Sequence, residues 1–180
     1  MIVANECQSE KGEFINMTYF YKLFLYKKWA NEELLKTAKV QFDTLPQDDA
    51  RFFIRILNHT LVVDQIFAAH LTGKPHNYTS TNTVETPSLA ELAEAISISD
   101  VWFCEYTQNL SQAELVRSIP FKFTDGDTGR MSVEEILLHL INHGSYHRGA
   151  AGRALAVNSI TPPKDGLTGF LHHLEPDRRW

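Results

Sequence analysis

An all-α fold, a bundle of four long helices, is predicted by three features of the sequence. Apolar residues recur at helical spacing in four long stretches. Serine caps with a glutamate three residues on open two of those stretches. Proline- and glycine-bearing breaks separate them. A chain of 180 residues fits one domain, with residues 1–15 a flexible leader and 16–180 the helical domain.

The first helix is expected from about Asn16 to Val40, where Tyr19, Phe20, Leu23, Phe24, Tyr26, Trp29, Ala30, Leu34 and Leu35 keep helical spacing. Asp43-Thr44-Leu45-Pro46 breaks it, with Pro46 placed to begin the next helix. The second runs from about Gln47 to Leu71 and stops at Gly73 and Pro75. The 14 residues from Lys74 to Pro87 are polar. Extended, such a segment reaches about 46 Å, enough to run back along a helix of about 33 Å. The connection therefore permits the second and third helices to lie parallel. Ser88-Leu89-Ala90-Glu91 caps the third helix, which continues to about Leu110. Alternation over Ser118–Phe123, followed by Asp125-Gly126, predicts a short β-hairpin or extended loop. Ser132-Val133-Glu134-Glu135 caps the fourth helix, expected to reach Val157 before Pro162 and Pro163. A short element over Leu167–Leu174 is expected to pack across one end.

Composition excludes several classes. The net charge is −5 and the basic residues are scattered, which argues against a nucleic-acid partner. No apolar run has the length of a membrane span, and Met1 to Glu13 lacks the basic and apolar regions of a signal peptide. The two cysteines, Cys7 and Cys104, read as reduced thiols of a cytoplasmic protein, and the Asn-x-Ser/Thr triplets at Asn16, Asn58 and Asn77 as accidental.

Chemistry concentrates in Ile141-Asn142-His143-Gly144-Ser145-Tyr146-His147-Arg148-Gly149. Residues four apart on a helix share a side, so His143 and His147 present two imidazoles one turn apart. On a wheel centred on Leu140, His147 lies about 20° and His143 about 60° from the centre of the apolar face, with His139 at its margin near 100°. Two imidazoles aimed inward need partners, and one cation serves both. His59, mid-helix on the side of Phe52, Val63 and Ile66, is the best third ligand. His70 reads as a surface or capping residue and His76 as solvated; His172 or His173 is the remaining candidate near the metal. Asp64 is expected to pair with Arg148 across the bundle, or else to accept the free N–H of a ligand imidazole. Asn142 and Tyr146 flank the ligands and are candidates to hydrogen-bond a ligand or substrate; for Tyr146, ordinary packing is the equal alternative. No His-Glu-x-x-His motif supplies the general base of a metalloprotease.

Three segments together resemble the DinB family: Tyr26-Lys27-Lys28-Trp29-Ala30-Asn31, then Leu57-Asn58-His59-Thr60-Leu61-Val62-Val63-Asp64, then His139-Leu140-Ile141-Asn142-His143-Gly144-Ser145-Tyr146-His147-Arg148-Gly149. The resemblance spans roughly Asn16 to Val157. It implies a four-helix bundle with an up-down-down-up path, a homodimer, and a three-histidine metal site at His59, His143 and His147. Many relatives carry Gln where Ala150 stands here, so that amide is missing. The family also includes thiol-dependent transferases and isomerases.

Three histidines leave a coordination position open, unlike structural zinc sites with four protein ligands. The expectation is a divalent-metal-dependent enzyme, either a thiol-dependent transferase using a low-molecular-weight thiol or a metal-assisted hydrolase. Zinc or nickel is favoured, with iron and manganese also in range. The alternatives are a non-catalytic, metal-stapled dimeric binding module in a stress response and, last, a metal-free bundle with core histidines.

Overall fold

Ser, Thr and Gly residues at the ends of apolar stretches set where the helices begin and stop. The computed structural model describes residues 18–178. The elements are α1 (Tyr19–Gln41), a 3-10 turn (Phe42–Thr44), α2 (Gln47–Thr72), α3 (Leu89–Gln108), α4 (Gln112–Leu115), β1 (Ser118–Lys122), β2 (Thr128–Ser132), α5 (Val133–Val157), α6 (Leu167–Leu174) and a closing 3-10 turn (Pro176–Arg178). The expected leader, the start of the first helix at Asn16, and Cys7 lie outside the described residues.

The caps act as their chemistry requires. The Thr18 hydroxyl accepts from the Tyr21 N–H and donates to the Thr107 carbonyl, tying the start of α1 to the end of α3. Ser88 and Ser132 each close a capping box with Glu91 and Glu135. Gly73 ends α2 at φ 65°, a left-handed conformation that costs glycine nothing. The one-turn helix α4 was not anticipated. Its signal was present in Ser111 and Glu114, which form a third capping box. The hairpin pairs β1 and β2 antiparallel, Ser118 opposite Ser132.

The four long helices pack in a ring: α1 and α2 each lie against both α3 and α5. One apolar cluster joins Phe24 at the start of α1, Phe67 and Leu71 at the end of α2, Phe103 at the end of α3 and Ile136 and Leu137 at the start of α5. The other joins Leu34 and Ala38, Phe53 and Leu57, Leu92 and Ile96, and Ala151 and Leu155, from the opposite ends of the same helices. Tyr26, Ala30 and Phe170 form a third cluster, which seats α6 on α1. α2 is long and apolar enough to cross a membrane, but 61% of its apolar window is buried inside the structure, as suits a core helix.

A buried polar layer separates the two main clusters. Lys27, 1% exposed, donates from Nζ to Asp64 Oδ2 at 2.7 Å and to Asp100 Oδ1 at 3.0 Å. Asn31 Nδ2 donates to the other oxygen of Asp100 at 2.7 Å, and Asn31 Oδ1 accepts from Arg148 Nη1 at 3.4 Å. Arg148 Nε donates to Asp165 Oδ2 at 2.6 Å, and the Tyr26 hydroxyl donates to Asp165 Oδ1. Both expectations for Asp64 are thus corrected: its partner is Lys27, and Arg148 pairs with Asp165. Lys27 wins because it leaves α1 at the level where α2 and α3 each present a carboxylate. Burial opposes its charge, but Asp100 and Asp64 hold it protonated, well above the usual lysine range. Burial pushes the Asp64 carboxyl up to about 6 despite the Lys27 ammonium. The asymmetry is physical. The ammonium gains from two carboxylates, whereas Asp64 shares one cation and leaves Oδ1 without a partner among the described residues.

Lys27→Met should cost about 3–5 kcal/mol in denaturant unfolding at pH 7, because it strands two buried carboxylates. The deficit should narrow as the pH falls toward 6, because without the Lys27 ammonium, which lowers its pKa, the Asp64 carboxyl takes up a proton at higher pH than in the wild type. Asp64 has a raised folded-state pKa, so its ionised form penalises folding above that pKa, and the penalty fades as the carboxyl takes up a proton. In the wild type, the Lys27 contribution is complete below the ordinary lysine range and is lost as the pH rises above it. Gly144→Ala should also destabilise. The added Cβ would stand 3.2 Å from both Lys27 Cε and Arg148 Nη1, and ion pairs pin both side chains. Overpacking of about 1–3 kcal/mol outweighs a helix-propensity gain of about 1, for an expected net loss of about 1 kcal/mol by the same unfolding measurement.

Candidate metal centre

His59 sits on the side of α2 that faces α5, and α5 answers with His143 and His147 one turn apart. The Nε2 atoms converge: His59 to His143 is 3.1 Å and His147 to His143 is 3.0 Å. All three candidate nitrogens lie within 4.8 Å of one another. The rings meet edge to face at centroid distances of 4.4–5.0 Å.

The tautomer of His59 follows from its outer contact. Its Nδ1 lies 2.8 Å from the Thr81 carbonyl, an acceptor only, so Nδ1 carries the proton and Nε2 presents a bare lone pair. His143 Nε2 has two close Nε2 neighbours and one proton at most, so protons alone satisfy one contact well and leave the other short of a donor. One cation would satisfy all three. Nitrogens about 2.0–2.1 Å from a shared ion sit about 3.0–3.4 Å apart. The donor set therefore fits a divalent transition-metal ion. Burial, then the neighbouring His147 and His59, pushes His143 down to about 3, and burial and His59 also lower His147. Both rings are neutral at physiological pH, the state a metal requires.

The outer contact of His59 is itself built. Asn58 Nδ2 donates to Thr83 Oγ1 at 2.7 Å and to Asn82 Oδ1, and Asn82 Nδ2 donates back to the Arg55 carbonyl at 2.9 Å. Arg55 Nη1 donates to the Thr83 carbonyl at 2.7 Å. The polar connection is thus strapped onto α2 and aims the Thr81 carbonyl at His59. Sequence reasoning missed Thr81, Asn58 and Asn82; the only local signal was a polar residue beside a candidate ligand. The Nδ1 atoms of His143 and His147 are buried without such a partner among the described residues.

The structure changes several expectations. His143 and His147 are half-buried on the flank toward α2, whereas Gly144 and Arg148 are fully buried in the layer shared with α1. The wheel missed this because it was centred on the apolar face alone and left Arg148 out. Its partners Asn31 and Asp165 come from remote segments. His172 and His173 are exposed on α6, the latter against Trp29 at 6.2 Å, and neither joins the cluster. Asn142 is exposed and so is Tyr146, whose ring lies 5.1 Å from that of His147. His139 is a neighbour, its ring 5.3 Å from His143. Burial pushes the Cys104 thiol up to about 11, so it is no ready nucleophile.

Protein DinB of Bacillus subtilis (strain 168) is 25% identical over 168 residues, covering 87% of this chain and 97% of that relative. No solved structure matches the chain. A family model described as DinB family matches residues 11–177, nearly the whole length, and the chain therefore belongs to the DinB family.

Proposed function

We propose that His59, His143 and His147 hold one divalent metal ion, zinc or nickel before iron or manganese, and that the chain is a metal-dependent enzyme acting on small molecules. The convergence of three Nε2 atoms from two helices carries this reading. Supporting it, among the described residues no fourth histidine, cysteine or carboxylate joins the three, so protein ligands do not close the site. That favours chemistry over a purely structural staple. The fold completes the reading as a four-helix bundle with an up-down-down-up path. Its support is that one apolar cluster collects the starts of α1 and α5 with the ends of α2 and α3.

Such an ion lowers the pKa of bound water or holds a thiolate, which suits either hydrolysis or transfer of a low-molecular-weight thiol. The chain's own residues orient. Thr81 fixes the tautomer of His59. Tyr146, 76% exposed, offers a phenol beside His147 for a substrate hydrogen bond. The partner is a small molecule, met by a cytoplasmic homodimer.

Elemental analysis of untagged protein should find about one metal ion per chain, and His147→Ala should lose it. Equal content in both would remove the site. Asn82→Ala should weaken metal binding by about 10–100-fold in competition with a chromogenic chelator, because the Thr81 carbonyl loses its strap, while the melting temperature changes little. Turnover of activated electrophiles with thiol cosubstrates should appear only in the metal-loaded chain. No metal-dependent turnover across a broad panel would favour a binding module.

A further inference from the structure

Six of the eight histidines line one continuous track, and only three of them belong to the metal centre. From His143 the rings step to His139 at 5.3 Å, to Phe67 at 5.5 Å, to His70 at 6.0 Å and to His76 at 5.1 Å, so the track reaches a sixth histidine at its far end. That end opens on a cavity of about 540 Å³ between the end of α2, the start of the polar connection and the hairpin turn. Its size is in the range of small-molecule sites.

The walls have a definite chemistry. Lys74 and Lys122 both line the cavity, and among the described residues neither forms a salt bridge. Its one carboxylate, Asp125, accepts from the Asp127 N–H and so closes the hairpin turn. His70 lies between Phe121, stacked at 5.2 Å, and the edge of Phe67. His70 Nε2 and His76 Nδ1 are both buried and have no partner among the described residues. A buried polar nitrogen without a partner costs about 1–3 kcal/mol, so two in one cavity point to a group that supplies oxygens to both. Burial, then His76, lowers the pKa of His70, so its ring is a neutral N–H donor and not a fixed charge. The two ammonium groups disfavour a cation and favour an anion in a protein whose net charge is −5.

From this we infer that the cavity beside the hairpin is an anion subsite, in which His70, His76, Lys74 and Lys122 bind the carboxylate of a small organic molecule. The site stands whether or not the three-histidine cluster holds a metal.

The test is calorimetric titration of the whole chain with succinate, with succinamide as the neutral control, followed in parallel by the imidazole nitrogen resonances of His70 and His76. Wild type should bind succinate saturably and succinamide not at all, with both ring signals shifting. Lys74→Ala/Lys122→Ala changes two exposed side chains and should weaken succinate at least tenfold. His143→Ala and, as a second variant, His147→Ala should leave it unchanged. Inorganic phosphate competing with succinate would show that the pocket reads anionic oxygens generally, which still supports it. The assignment is overturned by no saturable binding, by equal binding in the double lysine variant, or by loss of binding in the His143 and His147 variants alone, which would put the anion at the metal. Zinc saturating the His70 and His76 signals in His143→Ala and excluding succinate would replace it with a cation site.

Discussion

The buried Lys27 ammonium, held between Asp64 and Asp100, is the constraint on which the rest of the architecture depends. An apolar interface tolerates small sliding because one leucine replaces another at little cost. A buried charge does not, since a shift that breaks a 2.7 Å contact leaves an ion uncompensated in a low-dielectric interior. Lys27 locks α1 to α2 and α3 at one level. Asn31 and Arg148 extend the lock to α5, and Asp165 extends it to the segment before α6. Every long helix is thereby set in height by one polar layer between two apolar clusters.

The histidine cluster hangs from that layer. His59 lies five residues before Asp64 on α2, and His143 and His147 flank Gly144 and Arg148 on α5. Gly144 is where the Lys27 stem passes closest to α5, and a side chain there would meet it at 3.2 Å. The close approach that admits the lysine on one flank of α5 turns the two histidines toward α2 on the other. Residues usually explained by stability, a buried lysine and a small helical residue, thus position the imidazoles of the proposed metal centre.

The polar connection between α2 and α3 serves the same end from outside. A segment of this length could have been a loose crossover, yet Arg55, Asn58 and His59 each bond to it, and Tyr78 closes on Gln65. Loops carry function when a rigid element positions them, and here α2 does so along its length. The cluster end of the strap fixes a tautomer, and its start frames the cavity with His70 and His76. One strap therefore touches both the proposed metal centre and the proposed anion pocket.

The sequence by itself determined the helices, their caps and the His143/His147 pair, because these are local properties. Periodicity, a Ser followed by Glu, and a spacing of four act within one or two turns of the same segment. It also raised His59 as the third ligand and the Asn-His-Gly-x-x-His-Arg-Gly run as a family mark. Only the tertiary structure decided which buried charges pair. Lys27 meets Asp64, 37 residues away, and Asp100, 73 away, while Arg148 reaches Asn31 across 117 residues. No local pattern distinguishes a solvated arginine from a buried one, because burial becomes affordable only when a remote partner arrives at the same height. The same reason hid Thr81. A backbone carbonyl has no residue signature, and its alignment with His59 exists only once Asn58, Asn82 and Arg55 have drawn the connection onto α2.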